Sequence, residues 1–138
     1  MRVSQRLDYA LRALVVLAGQ PQDRPLPAGE VAETLGMPRR FVEQQVTILA
    51  QAGLVTCRRG ASGGCMLARP AERITVADVA TALHGEVLDI PHQQNSATAE
   101  MWELAAGGLA GILGGFTLEG LAQRQEEIDA ESRPMYYI

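Results

Sequence analysis

Lysine is absent from this chain of 138 residues, and all twelve of its basic residues are arginines. Without lysine, the chain can form no lysine Schiff base and lacks the lysine of a nucleotide-binding P-loop. Its Gly-rich stretch Ser62, Gly63 and Gly64 joins two predicted strands instead of opening a helix, so it has no helix terminus for binding phosphate. A G-x-S-x-G nucleophile motif is also missing. We therefore expect a protein that is not an enzyme.

Cysteines and long apolar runs are also scarce. Two cysteines do not build the disulfide framework of a small secreted domain. The longest apolar runs fall well short of the ~18 residues that indicate a membrane-spanning helix, so we expect no membrane partner. Asp8 and Arg12 interrupt the apolar stretch near the N-terminus, which argues against a secretion signal. A hydrophobic content of 47% with 20% charged residues is typical of a globular protein, and we expect it in the cytoplasm.

The net charge of −4 conceals an uneven distribution. Residues 1–73 hold ten arginines and six acidic residues, whereas residues 74–138 hold two arginines and ten acidic residues. A basic half joined to an acidic half is typical of a nucleic-acid-binding module with a second, solubilising part. The alternative is a simple difference in charge between two faces of one protein. The pattern inside the basic half favours DNA binding.

That pattern is a helix, a turn, a second helix and an Arg-rich hairpin within residues 28–70. The first of these helices is predicted at Ala28–Leu35 and is closed by Gly36. The next is predicted to begin at Pro38, because proline is tolerated in a first helical turn, and to end near Ala52. One of its faces is apolar and the other polar, as in a recognition helix that lies in a major groove. The candidate DNA-binding residues of this helix are Pro38, Arg39, Arg40, Glu43, Gln44 and Thr47.

The hairpin that follows has the features of a wing. Strands are predicted at Leu54–Arg58 and Cys65–Ala68, in a register that pairs Val55 with Leu67 and Cys57 with Cys65. Its tip can press guanidinium and backbone groups into a neighbouring minor groove. The candidate DNA-binding residues of the tip are Arg58, Arg59, Ser62 and Gly63. We interpret Cys57 and Cys65 as small apolar side chains that stay reduced, and a redox-active thiol pair is the alternative.

Four further helices complete the predicted fold. They are a first helix capped by Ser4 and running to Ala18, a fourth at Val76–Leu83, a long fifth at Ala97–Gly114, and a short last helix from Leu118 to about Ala122. The fifth is apolar over more than one stripe and rich in glycine, which predicts close packing against the same helix of a second copy. The candidate dimerisation residues are Met101, Trp102, Ala105, Gly108, Leu109 and Ile112.

The predicted fold is therefore mainly α with a small β-hairpin. It comprises a winged helix-turn-helix head at residues 1–83, a connecting loop at 84–96, a dimerisation helix region at 97–123 and an acidic tail at 124–138. We expect double-stranded DNA and a second copy of the chain as partners.

The chain resembles the Rrf2 family of winged-helix transcription regulators over roughly residues 1–123. The resemblance rests on MRVSQRLDYALRAL, on FVEQQVTILAQAGLV in the recognition helix, on the wing RRGASGGCMLARP and on ITVADV at the fourth helix. TAEMWELAAGGLAGILGGFTLEGL adds a match in pattern. It implies a bacterial homodimer held by the long helix, with two heads on a two-fold DNA site, acting as a repressor.

The sequence departs from the family at the sensor. Sensor members of the family hold an iron–sulfur cluster on three cysteines in the loop before the long helix, and here that loop contains none. Asp8 matches the position of an acidic cluster ligand in some members, and His84 and His92 are the remaining metal-ligand candidates. Without thiolates these residues are no adequate set for a cluster, and we expect no cofactor and no metal site.

The signal must then have another source. We expect an unknown small-molecule or protein effector at the loop before the long helix, in a pocket lined by His84, Leu88, Ile90, His92 and Trp102. Two alternatives to a ligand-regulated DNA-binding protein remain open. One is a winged-helix module that grips a protein partner, and the other is a sensor that responds to thiol oxidation or to a metal.

Overall fold

The computed structural model describes residues 4–21, 24–84 and 95–133. Six α-helices and a two-stranded hairpin follow one another along this part of the chain. They are α1 (Gln5–Ala18), α2 (Ala28–Leu35), α3 (Arg39–Gln51), β1 (Val55–Arg58), β2 (Gly64–Leu67), α4 (Val76–His84), α5 (Ala97–Gly114) and α6 (Leu118–Ser132), with a 3-10 turn at Ala71–Arg73 before α4. The predicted fold class, mainly helical with a small hairpin, is confirmed.

Local capping interactions set most of the helix ends. The Ser4 hydroxyl accepts a hydrogen bond from the backbone N–H of Leu7 and begins α1. Gly36 ends α2 in the left-handed conformation, with φ of 66°, that glycine adopts without strain. Ser96 and Thr117 cap α5 and α6 in the same way as Ser4 caps α1. These ends lie where the sequence predicts them.

Three predicted helix boundaries are wrong, and in one of them α4 ends at His84 and not at Leu83. Pro38 lies just outside α3 as its N-cap, in an extended conformation, and the helix begins at Arg39. The largest error concerns α6, which continues to Ser132 instead of ending near Ala122. Its additional turns are held by side chains one turn apart, such as the ion pair between Arg124 and Glu127 at 3.0 Å.

The hydrophobic core lies where α1, α2, α3 and the hairpin meet. Its largest fully buried side chains include Leu14 of α1, Val31 of α2 and Leu49 of α3. Tyr9 of α1 also packs edge-on against Phe41 of α3, with ring centroids 5.4 Å apart. These contacts fix the orientation of α3, so that the side turned away from the core faces solvent.

After α5 the chain returns to this core. Leu118, the first residue of α6, is fully buried in it, and α6 packs against α1. Hydrogen bonds of 2.9 Å from the N–H of Val76 to the carbonyl of Phe116, and from the N–H of Leu118 to the carbonyl of Ile74, fasten the α5–α6 junction to the beginning of α4. The C-terminal end of α5 is thereby connected to the head. Within the described ranges, no helix is long and apolar enough to span a membrane.

Candidate nucleic-acid interface

Helix α3 has one buried and one exposed side. Val42, Val46 and Leu49 are buried, as their spacing predicts. The predicted contact residues on the other side are all exposed: Pro38, Arg39, Arg40, Glu43, Gln44 and Thr47. A continuous polar strip therefore runs along the first two turns of α3, which are the turns that usually reach base edges in a major groove.

Arg39 is held in place by two neighbours, one on this strip and one on α2. Its Nε donates to Oε1 of Glu43, one turn further along α3, at 2.9 Å. On its other side the guanidinium lies over Gly29 in the first turn of α2, where an added Cβ would come within 3.6 Å of Nε. Because Glu43 contacts only Nε, the two terminal nitrogens of Arg39 remain available for a bidentate contact with O6 and N7 of guanine.

The other side chains of the strip offer different chemistry. The Thr47 hydroxyl donates to the backbone carbonyl of Glu43 at 2.9 Å, which leaves its methyl group for a contact with a thymine methyl. Gln44 is exposed and has the paired donor and acceptor that recognise adenine. Arg40 is exposed and forms no ion pair with any residue that the structure describes. The strip thus contains two arginines: Arg39 is oriented by Glu43 and Gly29, and Arg40 forms no ion pair with a described residue.

The hairpin has the predicted register, with Val55 opposite Leu67 and Cys57 opposite Cys65. Its strands differ slightly from the prediction, since Leu54 and Ala68 lie outside them and Gly64 begins β2. Arg58, Arg59 and Ser62 are exposed around the tip. The hairpin therefore presents two cations at its far end, on the same head as α3.

Gly63 differs from the other wing candidates because it is buried. Its N–H donates to the carbonyl of Gly60 at 3.0 Å and closes the turn. An added Cβ would overlap the carbonyl oxygen of Arg58. Gly63 therefore determines the conformation of the tip, and its N–H is hydrogen-bonded within the turn and not free for DNA.

Sequence reasoning missed several residues that position this surface. Gln45 of α3 is buried although polar, and Gly29 provides the surface on which Arg39 lies. Leu26 forms an isolated bridge with Cys65 and so adds backbone hydrogen bonds on the side of β2 that faces away from β1. The helical spacing of Gln45 places it beside the apolar residues of α3 and could have revealed it. The contacts of Gly29 and Leu26 join distant parts of the chain and have no local signal.

Helix α5 exposes apolar side chains on the side away from the head. All residues of α5 are described, and none of them is fully buried. Leu104 is 80% exposed and Ile112 63%, and Met101, Ala105 and Gly108 are exposed with them. The other two predicted dimerisation residues, Trp102 and Leu109, are half-buried on the adjoining side of the helix. Helix α5 also packs against α4.

The predicted effector residues are only partly described. Leu88, Ile90 and His92 lie outside the described residues. His84 is exposed at the end of α4, and Trp102 is half-buried on α5. A cleft of about 750 Å³ opens between α1, α2, α5 and α6, but neither His84 nor Trp102 lines it. The proposed pocket at the connecting loop remains a prediction.

The chain's donor groups do not fit an iron–sulfur cluster. Such a cluster requires about four ligands, mostly cysteine thiolates, and the only two cysteines of the sequence face each other in the wing. Burial of Cys65, followed by its hydrogen bond with Cys57, raises its pKa from 9.0 to about 12, so it stays a thiol. Asp8 is engaged by Arg12 at 3.0 Å. Among the described residues, His, Cys, Asp and Glu side chains form no group of three suited to a metal.

Comparisons with known proteins agree with this architecture. A family model described as "Rrf2: Iron-dependent Transcriptional regulator" matches residues 3–124. The HTH-type transcriptional regulator IscR of Xenorhabdus nematophila is 31% identical over 142 residues, covering 96% of this chain and 86% of that protein.

Two solved structures extend the likeness to three dimensions. CymR, described as the global cysteine regulator of B. subtilis, has a TM-score of 0.79 at 28% identity, covering 90% of this chain and 98% of CymR. IscR of T. potens has a TM-score of 0.77 at 28% identity, covering 99% of this chain and 95% of that one. The resemblance found in the sequence is thereby confirmed.

Proposed function

The chain belongs to the Rrf2 family of transcriptional regulators, and we propose that it is a homodimeric, sequence-specific DNA-binding repressor that works without an iron–sulfur cluster. Its relatives are transcriptional regulators and not enzymes, which agrees with the absence of catalytic motifs from the sequence. As a member of this family, the chain regulates transcription by binding DNA. We propose in addition that it is a dimer, that it represses transcription and that its signal is an effector and not a cluster.

The observation that carries this proposal is the pairing of two exposed basic elements on one head. Helix α3 presents Arg39, Arg40 and Gln44 to solvent, and the hairpin that follows it presents Arg58 and Arg59. A major groove about 12 Å wide accepts a helix, and guanidinium groups suit the narrow groove beside it. In this arrangement α3 reads the bases, and the wing sets its position through the backbone and the adjacent minor groove.

A second copy of the chain is the proposed partner of α5. Large apolar patches on a soluble protein mark interaction surfaces, and α5 is apolar along its exposed side. Gly108 and Gly111 lie on that side with open space beyond their Cα atoms. Two antiparallel copies of α5 would cover both surfaces at once, as a two-fold dimer requires. The two heads would then read two half-sites.

Regulation is proposed to depend on an unknown effector, because the donor set does not suit a cluster. Any such effector must bind the DNA-competent and incompetent states with different affinity. Repression is the proposed outcome, since a dimer lying on both half-sites excludes other proteins from that DNA. A cytoplasmic location follows from a bacterial DNA partner.

A salt-dependent titration with a matched control tests the proposal. A duplex selected by the pure protein is titrated at two salt concentrations with wild type, Arg40→Ala and Arg73→Ala. We expect wild-type affinity to fall steeply with salt, because each phosphate contact contributes a log–log slope of about −0.9. Arg40→Ala should cost about 1–3 kcal/mol of binding free energy.

The control removes the same charge from a different place. Arg73 is exposed in the 3-10 turn, beyond the end of the hairpin opposite the tip, so its loss should leave affinity within about twofold. No preference for the selected duplex over random DNA would contradict DNA recognition and favour a protein-binding module. Equal losses of binding free energy for Arg40→Ala and Arg73→Ala would mean that the protein binds DNA only by general charge attraction.

A further inference from the structure

The two cysteines of the chain occupy directly opposed positions on β1 and β2. Cys65 donates its N–H to the carbonyl of Leu26 at 2.8 Å and accepts from the N–H of Leu26 at 2.9 Å. Because both backbone groups of Cys65 point to Leu26, they point away from β1. Cys57 and Cys65 therefore form a non-hydrogen-bonded pair, the closer of the two kinds of antiparallel pair.

This spacing suits a disulfide. In non-hydrogen-bonded pairs the Cα atoms are ~4.5 Å apart, which lies within the ~4.4–6.8 Å that disulfides span. The side chains of such a pair lie on the same face of the hairpin. The two cysteines thus lie opposite each other, and a disulfide requires only a small approach of their Cβ atoms.

The two thiols differ in access. Cys57 is exposed, so its interpretation as an apolar filler is wrong, whereas Cys65 is only 6% exposed and fits that description. Burial raises the pKa of Cys65 to about 12, so at neutral pH it is a protonated thiol, and it is shielded from oxidants in solution. An oxidant in solution therefore meets Cys57 first, with Cys65 held beside it.

We propose that the wing is a reversible redox site, in which a hydroperoxide oxidises Cys57 and Cys65 closes an intramolecular disulfide with it. In the first step the Cys57 sulfur attacks the O–O bond, giving a sulfenic acid on Cys57 and releasing an alcohol, or water when the oxidant is hydrogen peroxide. The Cys65 sulfur then attacks the Cys57 sulfur, so that the S–S bond forms and the S–O bond breaks, and the Cys65 proton leaves with the hydroxyl group as water. Two thiols lose two electrons, and the peroxide gains them.

The position of the disulfide connects it to DNA, a step that rests on the proposed function. Opposed Cβ atoms are ~4.5–5.5 Å apart, whereas a disulfide draws them to ~3.8 Å. This contraction occurs next to Arg58, whose exposed side chain follows Cys57 directly in β1. A displaced guanidinium loses its contact, and the loss of one good contact lowers affinity about tenfold. Oxidation is thus expected to release the regulator from DNA.

The chemistry is tested first, without DNA. Reduced wild type, Cys57→Ser and Cys65→Ser are exposed to hydrogen peroxide, their remaining thiols are alkylated, and their masses and peptides are measured. Wild type should lose two hydrogens and give one peptide pair linking Cys57 to Cys65, which a dithiol reverses. Cys65→Ser should stop at a sulfenic acid that dimedone traps, and Cys57→Ser should keep a free Cys65 thiol.

Other products of the same reaction would overturn the proposal. Wild type that remains alkylated at both cysteines, that stops at a sulfenic acid on Cys57, or that forms disulfides between copies has no wing disulfide. Because these readings need no DNA, they stand even if the proposed function fails.

The regulatory step is tested by titrating the selected duplex with reduced and oxidised protein. Oxidised wild type should bind about tenfold more weakly, the loss of one good contact, and a Cys57→Ser/Cys65→Ser double variant should be insensitive to peroxide. The double variant also separates thiol chemistry from oxidation of Met66, which follows Cys65 directly in β2. Unchanged affinity of a fully disulfide-bonded protein would overturn the link to DNA. A reduced protein without DNA preference would instead contradict the proposed function.

Discussion

The glycines of α5 allow the proposed dimer to be tested at single positions. An added Cβ at Gly107 or at Gly108 meets no atom of the described chain within 4 Å. In an isolated chain both alanine variants should therefore be stabilising, by about 0.8–1 kcal/mol each, because alanine is the better helix former. The two positions differ in what lies beside them on the helix. Gly108 lies with the exposed Met101 and Ile112, and Gly107 lies nearer the charged side with Glu103.

If the apolar side of α5 packs against a second copy, Gly108→Ala adds a methyl group to a close helix contact. Overpacking of this kind costs about 1–3 kcal/mol, and a two-fold dimer contains the substitution twice. The dimer dissociation constant should then rise by roughly tenfold or more, each factor of ten being about 1.4 kcal/mol. Gly107→Ala should retain the wild-type constant and gain stability.

Sedimentation equilibrium gives the dissociation constant, and urea unfolding at fixed protein concentration gives the stability. Equal dissociation constants for Gly107→Ala and Gly108→Ala would refute the assignment of this side of α5 to the interface. A wild type that stays monomeric at high micromolar concentration would refute the dimer itself.

Three further predictions concern the head. Arg39→Ala should weaken binding to the selected duplex by about 1–3 kcal/mol, as measured by fluorescence anisotropy. It should change the free energy of unfolding by less than about 0.5 kcal/mol in a urea titration, because the ion pair between Arg39 and Glu43 is exposed. A large loss of stability would contradict the account. Gly63→Ala should lower DNA affinity and melting temperature although it removes no charge, because its Cβ would overlap the Arg58 carbonyl oxygen, whereas Ser62→Ala should leave the melting temperature unchanged. Between pH 9.0 and about 12 the free energy of unfolding of the reduced wild type should fall more steeply with pH than the free energy of unfolding of Cys65→Ala. The reason is that the Cys65 thiol ionises near pH 9.0 in the unfolded chain but keeps its proton in the folded one. Parallel pH profiles of urea unfolding for the two proteins would contradict this.

Local sequence signals determined most of the fold. Ser4, Ser96 and Thr117 each cap the helix that follows, because an N-cap hydroxyl acts within three residues of itself. The far end of α6 differs from the prediction, because the acidic composition of residues 124–138 predicts a tail and not a helix. Its side chains one turn apart, including Arg124 and Glu127, supply the local support that the polar composition concealed.

The candidate interface was predictable in its residue types and only partly in its geometry. Helical and strand periodicity separates the polar strip of α3 from its buried side and gives the register of Cys57 with Cys65. The contact of Arg39 with Gly29 and the bridge from Leu26 to Cys65 depend on how distant segments meet. Such contacts follow from tertiary packing and have no periodic signature.

Selection of DNA by the pure protein from a random duplex library tests the central claim most directly. The account predicts enrichment of one inverted repeat, with half-site centres about 10 base pairs or a multiple of that apart, because a two-fold dimer places two copies of α3 on one side of the duplex. Enrichment should be lost with Arg40→Ala and retained with Arg73→Ala. A pool that stays random with wild type, or a motif without two-fold symmetry, would contradict a homodimeric DNA-reading regulator.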